Sequence, residues 1–184
     1  MNILAETDRL ILREILSSDT SSMYEMYTDP LVLQYLGEKP FVHVQQAEEV
    51  IEFIRAQYIA NGTGRLAVIK KDTNEFIGWA GLKYVTGSYN DHTNYYEVGY
   101  RFIQKYWGKG YATEAARASI DYGFSELMPD KIYAMADSGN KASRVVLEKV
   151  GMRYLEKFDL GGIDHDWFEI SRTEWDQRRS EQHQ

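Results

Sequence analysis

The sequence predicts an α+β fold, and three observations carry that prediction. Its segments read in the order strand, two helices, three strands, helix, strand, helix, two strands, which is not the repeating βαβ series of a doubly wound sheet. The 184 residues are 43% apolar and 14% aromatic, enough to bury a core and too apolar for a disordered chain. No Pro-, Gly- or Ser-rich break divides them, so one domain is expected over residues 1–184, with a core of about 6–176 and a frayed polar end after Trp175.

The elements follow in order. RLILREI (Arg9–Ile15) is short, branched and partly alternating, as a first strand should be. In SSDTSSMYEMYTDP, Asp19 or a neighbouring serine caps a helix through Met23, Tyr24, Met26 and Tyr27 that Pro30 limits, and a short turn carries Leu31 to Leu36. Ala47, Val50, Ile51, Ile54 and Tyr58 fall at helical spacing before Asn61-Gly62. RLAVIKKDTNEFIGWAGLKYV reads as two strands joined at Asp72–Glu75, and NYYEVGYRFI (Asn94–Ile103) as an aromatic strand broken by Gly99. Ala112, Ala116, Ile120, Phe124 and Leu127 mark one helix face. KIYAMAD is a strand, NKASRVVLEKVGM a helix stopped at Gly151, and the stretch to Trp175 a strand pair around Gly161-Gly162.

Charge and composition narrow the function. A net charge of −7 leaves no basic field for nucleic acid, and an acidic surface suits cationic partners such as amines. Without cysteine there is no disulfide, thiolate metal site or cysteine nucleophile. Glu6, Asp8 and Arg9 interrupt any signal-like apolar run, and no stretch has the length of a membrane span, so a soluble cytoplasmic protein with no nucleic-acid or membrane partner is expected. His43, His92, His165 and His183 show no ligand spacing, and Asp164-His165-Asp166 reads as a polar hairpin turn, so no metal is expected.

Gly108 and Gly110 stand between the aromatic strand and an alanine-rich helix. Such a strand-to-helix turn suits main-chain N–H groups converging on an anion; the other reading is an ordinary loop whose glycines relieve crowding. A dinucleotide fingerprint needs a third glycine where Thr113 stands, and a P-loop needs Ser or Thr where Gly110 follows Lys109.

YWGKGYATEA resembles the acyl-CoA diphosphate loop of the GNAT superfamily of N-acetyltransferases, Gln/Arg-x-x-Gly-x-Gly/Ala. Gly108 and Gly110 fill its two small positions, while Lys105 stands where the family has Gln or Arg and Gln104 lies beside it. TDRLILRE, EFIGWAGL, YYEVGYRF and NKASRVVLEKVGM are similar, in that order, to further motifs of the branch containing ribosomal-protein N-terminal acetyltransferases, with Met152 in place of a phenylalanine. The resemblance spans about Glu6 to Trp175 and implies a mixed, mostly antiparallel sheet flanked by helices, with a splayed parallel strand pair.

The resemblance also implies a chemistry: transfer of acetyl from acetyl-CoA directly to a primary amine, by a monomer or homodimer. A protein or peptide N-terminus leads as acceptor, and a polyamine, amino acid or aminoglycoside is the alternative. A noncatalytic acyl-CoA-binding regulatory module is the rival reading. Main-chain groups of Trp107, Gly108, Lys109, Gly110, Tyr111, Ala112 and Thr113 would hold the diphosphate, and the Lys109 side chain either reaches a phosphate or is solvated. Groups near Phe102 and Ile103 would pair with pantetheine, and an N–H near Val98 or Gly99 would face the thioester oxygen. Gly99 suits a bulge or close approach there, or merely bends the strand. Glu97, among tyrosines, is a candidate base for the incoming ammonium, or else a strand carboxylate paired with a cation such as Arg101. Asn140 is a natural N-cap that relatives also turn to pantetheine, and Ser143 on the buried helix stripe is a candidate acid for the leaving thiolate. Tyr24, Tyr27, Tyr35, Tyr84, Tyr89, Trp79 and Trp167 either line an acceptor cleft or belong to the core.

Overall fold

A computed structural model describes residues 2–182. The N-terminal half holds strands β1 (Ile3–Glu6) and β2 (Leu10–Glu14), helices α1 (Thr20–Thr28), α2 (Pro30–Leu33) and α3 (Gln45–Asn61), then β3 (Arg65–Lys70) and β4 (Glu75–Val85). The C-terminal half holds β5 (Tyr95–Phe102), α4 (Tyr111–Tyr122), β6 (Lys131–Asp137), α5 (Lys141–Lys149), β7 (Arg153–Leu160), β8 (Ile163–Ser171) and α6 (Arg172–Gln182). Among the described residues these strands form one eight-stranded sheet, ordered β1-β2-β3-β4-β5-β6-β8-β7. Every neighbouring pair is antiparallel except β5 with β6.

Local sequence explains the helices. Met23, Met26 and Tyr27 of α1 and Ala47, Ile51 and Ile54 of α3 recur at three- and four-residue steps and are buried. α3 stops at Gly62, whose φ of 69° lets its N–H turn back to the Tyr58 carbonyl. Ala115, Ala116 and Ala118 of α4 carry little bulk, so that helix lies close on the sheet. Asp19 does stand at the start of α1, but its carboxylate is taken by Arg13 at 2.7 and 2.8 Å and by the Leu16 N–H at 2.8 Å. A bidentate arginine is the stronger partner for a carboxylate than a helix N–H, which displaces the expected cap.

Three expectations are corrected. Residues 176–182 form helix rather than a frayed end: Trp175 is buried, stacks on Phe124 with ring centres 5.1 Å apart and donates to Asp121 at 2.6 Å. Burying that indole contributes about 2–3 kcal/mol, enough to dock an otherwise polar helix. Asp164–Asp166 lie within β8, the turn being Gly161-Gly162 alone, whose φ values of 66° and 86° build the tight hairpin bend. Ile3–Glu6 adds an edge strand that short polar flanks concealed from sequence reading.

The core falls into parts. Leu10, Leu12, Val68, Ala80 and Phe102 belong to one cluster with α1, α3 and the start of α4; Val98, Ile132, Phe168, Leu147 and Trp175 belong to a second, under α4, α5 and α6. A third gathers Val85, Tyr95 and Trp167, with Tyr89 and Tyr133 packed against it.

Candidate active site

The parallel ladder of β5 and β6 is short. It joins Tyr96 to Ile132 and Glu97 to Tyr133 and then stops, although β5 runs on to Phe102 and β6 to Asp137. Beyond Glu97 the two strands therefore present facing edges without a ladder between them. The β4–β5 register is unbroken from Gly78↔Phe102 to Val85↔Tyr95, and it continues in the bond from the Ile103 N–H to the Ile77 carbonyl at 3.0 Å. Alternation along an antiparallel strand then turns the main-chain groups of Glu97, Gly99 and Arg101 toward β4, and those of Val98, Tyr100 and Phe102 toward the gap.

That register corrects two expectations. Ile103 turns to β4 and the following turn rather than to the gap, since its N–H meets Ile77 and its carbonyl accepts from Tyr106 at 3.0 Å. The Phe102 carbonyl is likewise taken, by the Trp107 indole N–H at 2.8 Å, which leaves only the Phe102 N–H. Gly99 forms no bulge; a Cβ there would lie 2.6 Å from Nη2 of Arg65, so its smallness admits a guanidinium.

At the end of β5 one 3₁₀ turn, Gln104–Tyr106, leads into the glycine loop. Gly108 and Gly110 have φ values of 72° and 81°, left-handed conformations that explain both glycines. Gly110 opens α4, and the N–H groups of Tyr111, Ala112 and Thr113 lie in the first turn, where a helix offers them no acceptor. Among the described residues, none of the N–H groups from Gly108 to Thr113 has a hydrogen-bond partner. Six unsatisfied donors on one turn, at the positive end of a helix, match an anion such as a diphosphate. Trp107 lies outside this set, its N–H bonded to the Gln104 carbonyl. The Lys109 ammonium folds back onto the Lys105 carbonyl at 2.9 Å.

The loop is clamped from β2's entry. Arg9 donates to the Lys109 carbonyl at 3.0 Å and to Glu114 at 2.7 Å, and Thr7 donates to the same carboxylate at 2.5 Å. Arg9 also lies over the Tyr111 ring at 4.5 Å. Burial alone would raise the Glu114 pKa, but the bonds from Thr7 and Arg9 outweigh it and hold the carboxyl below its ordinary value. A groove of about 1020 Å³ between β1 and α4 opens onto the loop at Gly110 and Thr113, with Arg9, Arg117 and Lys149 among its walls.

Glu97 is 5% exposed on the face of β5 opposite to Tyr96, Val98 and Tyr100. Its partners are Arg65, 2.6 Å from Oε1, and Lys83, 3.4 Å from the same oxygen; the expected Arg101 pairs instead with Glu38 at 2.9 Å. Arg101 is turned away because its guanidinium stacks on Tyr27 at 4.5 Å. Oε2 of Glu97 is buried with no hydrogen-bond partner, and so are Tyr95 Oη and Trp167 Nε1. Burial, then the Glu97 charge, pushes the Tyr95 phenol well above the ordinary tyrosine range.

On the other face, the Tyr100 hydroxyl lies 3.0 Å from both the Ser143 carbonyl and the Ser143 hydroxyl. Burial pushes the Tyr100 phenol well above its usual range, and the Ser143 bond opposes that. Asn140 is the α5 N-cap, its side-chain oxygen accepting from the Ser143 N–H at 3.0 Å. The candidate base and acid thus flank the gap from opposite faces of one strand.

Arg65, Lys83 and Tyr100 were not legible as site residues. Arg65 starts β3, and only the pairing Arg65↔Gly81↔Gly99 across three strands brings it near Glu97. Of the aromatics, Tyr27, Trp79 and Trp167 are core, and Tyr84 packs on Tyr96 on the far face. Tyr35 lies against Gly139, and Tyr89 against the Tyr95–Trp167 cluster. His92 joins that cluster, 4.8 Å from the Tyr133 ring and 5.2 Å from Trp167; His183 lies outside the described residues.

Residues 9–153 match the acetyltransferase (GNAT) domain family. An uncharacterised N-acetyltransferase p20 of Bacillus licheniformis is 31% identical over 175 residues, covering 92% of this chain and 96% of its own. Spermidine N(1)-acetyltransferase of Escherichia coli is 25% identical over 157 residues, covering 85% and 77%. The crystal structure of a GNAT-family acetyltransferase from Bacillus anthracis superposes with a TM-score of 0.77 at 29% identity, covering 93% of this chain and 98% of that one.

Proposed function

The chain belongs to the GNAT acetyltransferase family and is an acetyl-CoA-dependent N-acetyltransferase, and from that premise we propose that it acetylates primary amines by direct transfer, with a protein or peptide N-terminus as the leading acceptor. The observation that carries the site is the unladdered edge of β5 running into a loop of unpartnered N–H groups.

Bound acetyl-CoA supplies the activated acetyl group. The N–H groups from Gly108 to Thr113 hold its diphosphate, and the outward groups of Val98, Tyr100 and the Phe102 N–H hold its pantetheine arm as a neighbouring strand would. Glu97 Oε2 accepts a proton from the acceptor ammonium, directly or through water. Ser143, hydrogen-bonded to Tyr100, donates a proton to the departing sulfur. Without cysteine, no acyl-cysteine intervenes.

The peptide acceptor is supported by the motif resemblance to ribosomal-protein N-terminal acetyltransferases. The polyamine reading is favoured by the match to the Escherichia coli spermidine enzyme, which covers most of the chain. A thiol-release assay with acetyl-CoA over N-terminal peptides, polyamines, amino acids and aminoglycosides separates them. Turnover with peptides above all others is expected; turnover confined to polyamines would replace the peptide reading.

A further inference from the structure

We propose that Arg65 is the positioning residue of the acceptor site, gripping one oxygen of Glu97 so that the other stays free for the incoming ammonium. The proposal rests on the reading of Glu97 as base.

The sheet builds a channel for this arginine. Arg65 of β3 pairs with Gly81 of β4, and Gly81 pairs with Gly99 of β5, so the row beside Arg65 carries no side chain on either strand. The guanidinium fills the space: a Cβ on Gly99 would fall 2.6 Å from Nη2 and 2.7 Å from Cζ. Nη1 donates to the Gly81 carbonyl at 2.6 Å and to the Glu97 carbonyl at 2.8 Å, while Nη2 donates to Glu97 Oε1 at 2.6 Å. The Trp79 ring, 5.3 Å away, backs the group. Both side chains are about as buried as each other, at 10% and 6% exposure.

This geometry does more than neutralise a charge. One planar fork fixes both the main chain and the carboxylate of the same residue, which sets the direction of the second oxygen. Lys83 approaches the gripped oxygen as well, at 3.4 Å, and no donor reaches Oε2. A buried carboxylate oxygen without a donor is rare, and an ammonium N–H is the partner that it lacks. A lysine at position 65 has no planar fork and cannot reproduce the three bonds.

A double-mutant cycle tests the proposal. Arg65→Gln, Glu97→Gln and the double variant are compared in acceptor kcat and KM, with CoA affinity by calorimetry and thermal unfolding as controls. If Arg65 acts through Glu97, each single variant loses about 100-fold in kcat, the double loses no more than the worse single, and CoA affinity stays within about twofold. Arg65→Lys restores little. Losses that multiply in the double, or Arg65→Gln with near-normal kcat while Glu97→Gln is slow, overturn the positioning role and leave the base standing. Normal turnover in Glu97→Gln overturns the base and the positioning role together. Should Arg65→Gln not fold, Gly99→Ala keeps the charge and displaces the guanidinium; its kcat loss must vanish in the Glu97→Gln background, and persistence there refutes the proposal.

Discussion

The phenol of Tyr100 spans from β5 to the first turn of α5 and meets Ser143 twice, at its carbonyl and at its hydroxyl, each at 3.0 Å. Since the phenol has one proton, donating it to the carbonyl leaves the Ser143 hydroxyl to donate back to the phenol oxygen. Tyr100 thereby holds the Ser143 proton in the resting site, and in the proposed reaction that proton turns from the phenol to the departing sulfur. Ser143→Ala is expected to lower kcat on the order of 100-fold, and Tyr100→Phe to lower it less, with CoA affinity little changed in either. Steady-state kinetics with calorimetry read this; full activity in Ser143→Ala would remove the serine from proton transfer.

Gly110→Val places a branched side chain at φ 81° on the mouth of α4, with its Cβ 3.4 Å from Arg9. The strained turn and the added bulk both act on the unpartnered donors, so acetyl-CoA affinity is expected to fall at least about tenfold. Gly108→Ala is the milder change, because its Cβ meets open space and only the left-handed φ of 72° costs about 1–2 kcal/mol. Unchanged calorimetric affinity in Gly110→Val would detach the loop from the diphosphate.

Glu114 links acid stability to the loop. Its folded pKa is below the ordinary 4.5, so its contribution is complete above that value and is lost as the pH falls through the folded one. Glu114→Gln should cost about 1–2 kcal/mol at neutral pH, discounted for the exposure of Arg9, and less as the solution is acidified. Urea unfolding of both forms between neutral pH and pH 3 checks it; a stability gap that widens on acidification would contradict the clamp.

Tyr58 governs the alkaline side. Its phenol accepts from the Ile15 N–H at 3.0 Å and donates to the Arg65 carbonyl, and burial pushes its pKa up to about 12. In the unfolded chain a tyrosine ionises near 10, so above that pH the unfolded state holds fewer protons and stability declines until about 12. The loss attributable to this residue approaches 2–3 kcal/mol. Tyr58→Phe, less stable at neutral pH, should show a shallower decline between pH 10 and 12 in denaturant titrations.

The periodic segments were readable because burial follows local spacing: Ile51 and Ile54 on α3, or Leu147 and Val150 before Gly151, declare themselves in one turn. The glycine pair was readable because few roles demand two left-handed residues at a helix entrance. Arg65 was not, since its significance arises from two glycines that lie 16 and 34 positions along the chain. That Glu97 pairs with Arg65 and Lys83 and not with Arg101 is invisible along one strand, because Tyr27 on a helix draws Arg101 away. The α6 helix is hard to read because one buried indole, against Phe124 and Asp121, is its main apolar contact, and its other partners, such as the Phe124 and Pro129 carbonyls that accept from Arg172, leave no apolar repetition.

The abrupt end of the β5–β6 ladder has a consequence for how the protein lives between turnovers. Two sheet margins that face each other without joining form a seam, and a seam is mended by whatever lies in it as a substitute strand. On the proposed binding mode the cosubstrate is also a strut, so the enzyme's resistance to heat and proteases should rise and fall with the coenzyme A supply around it.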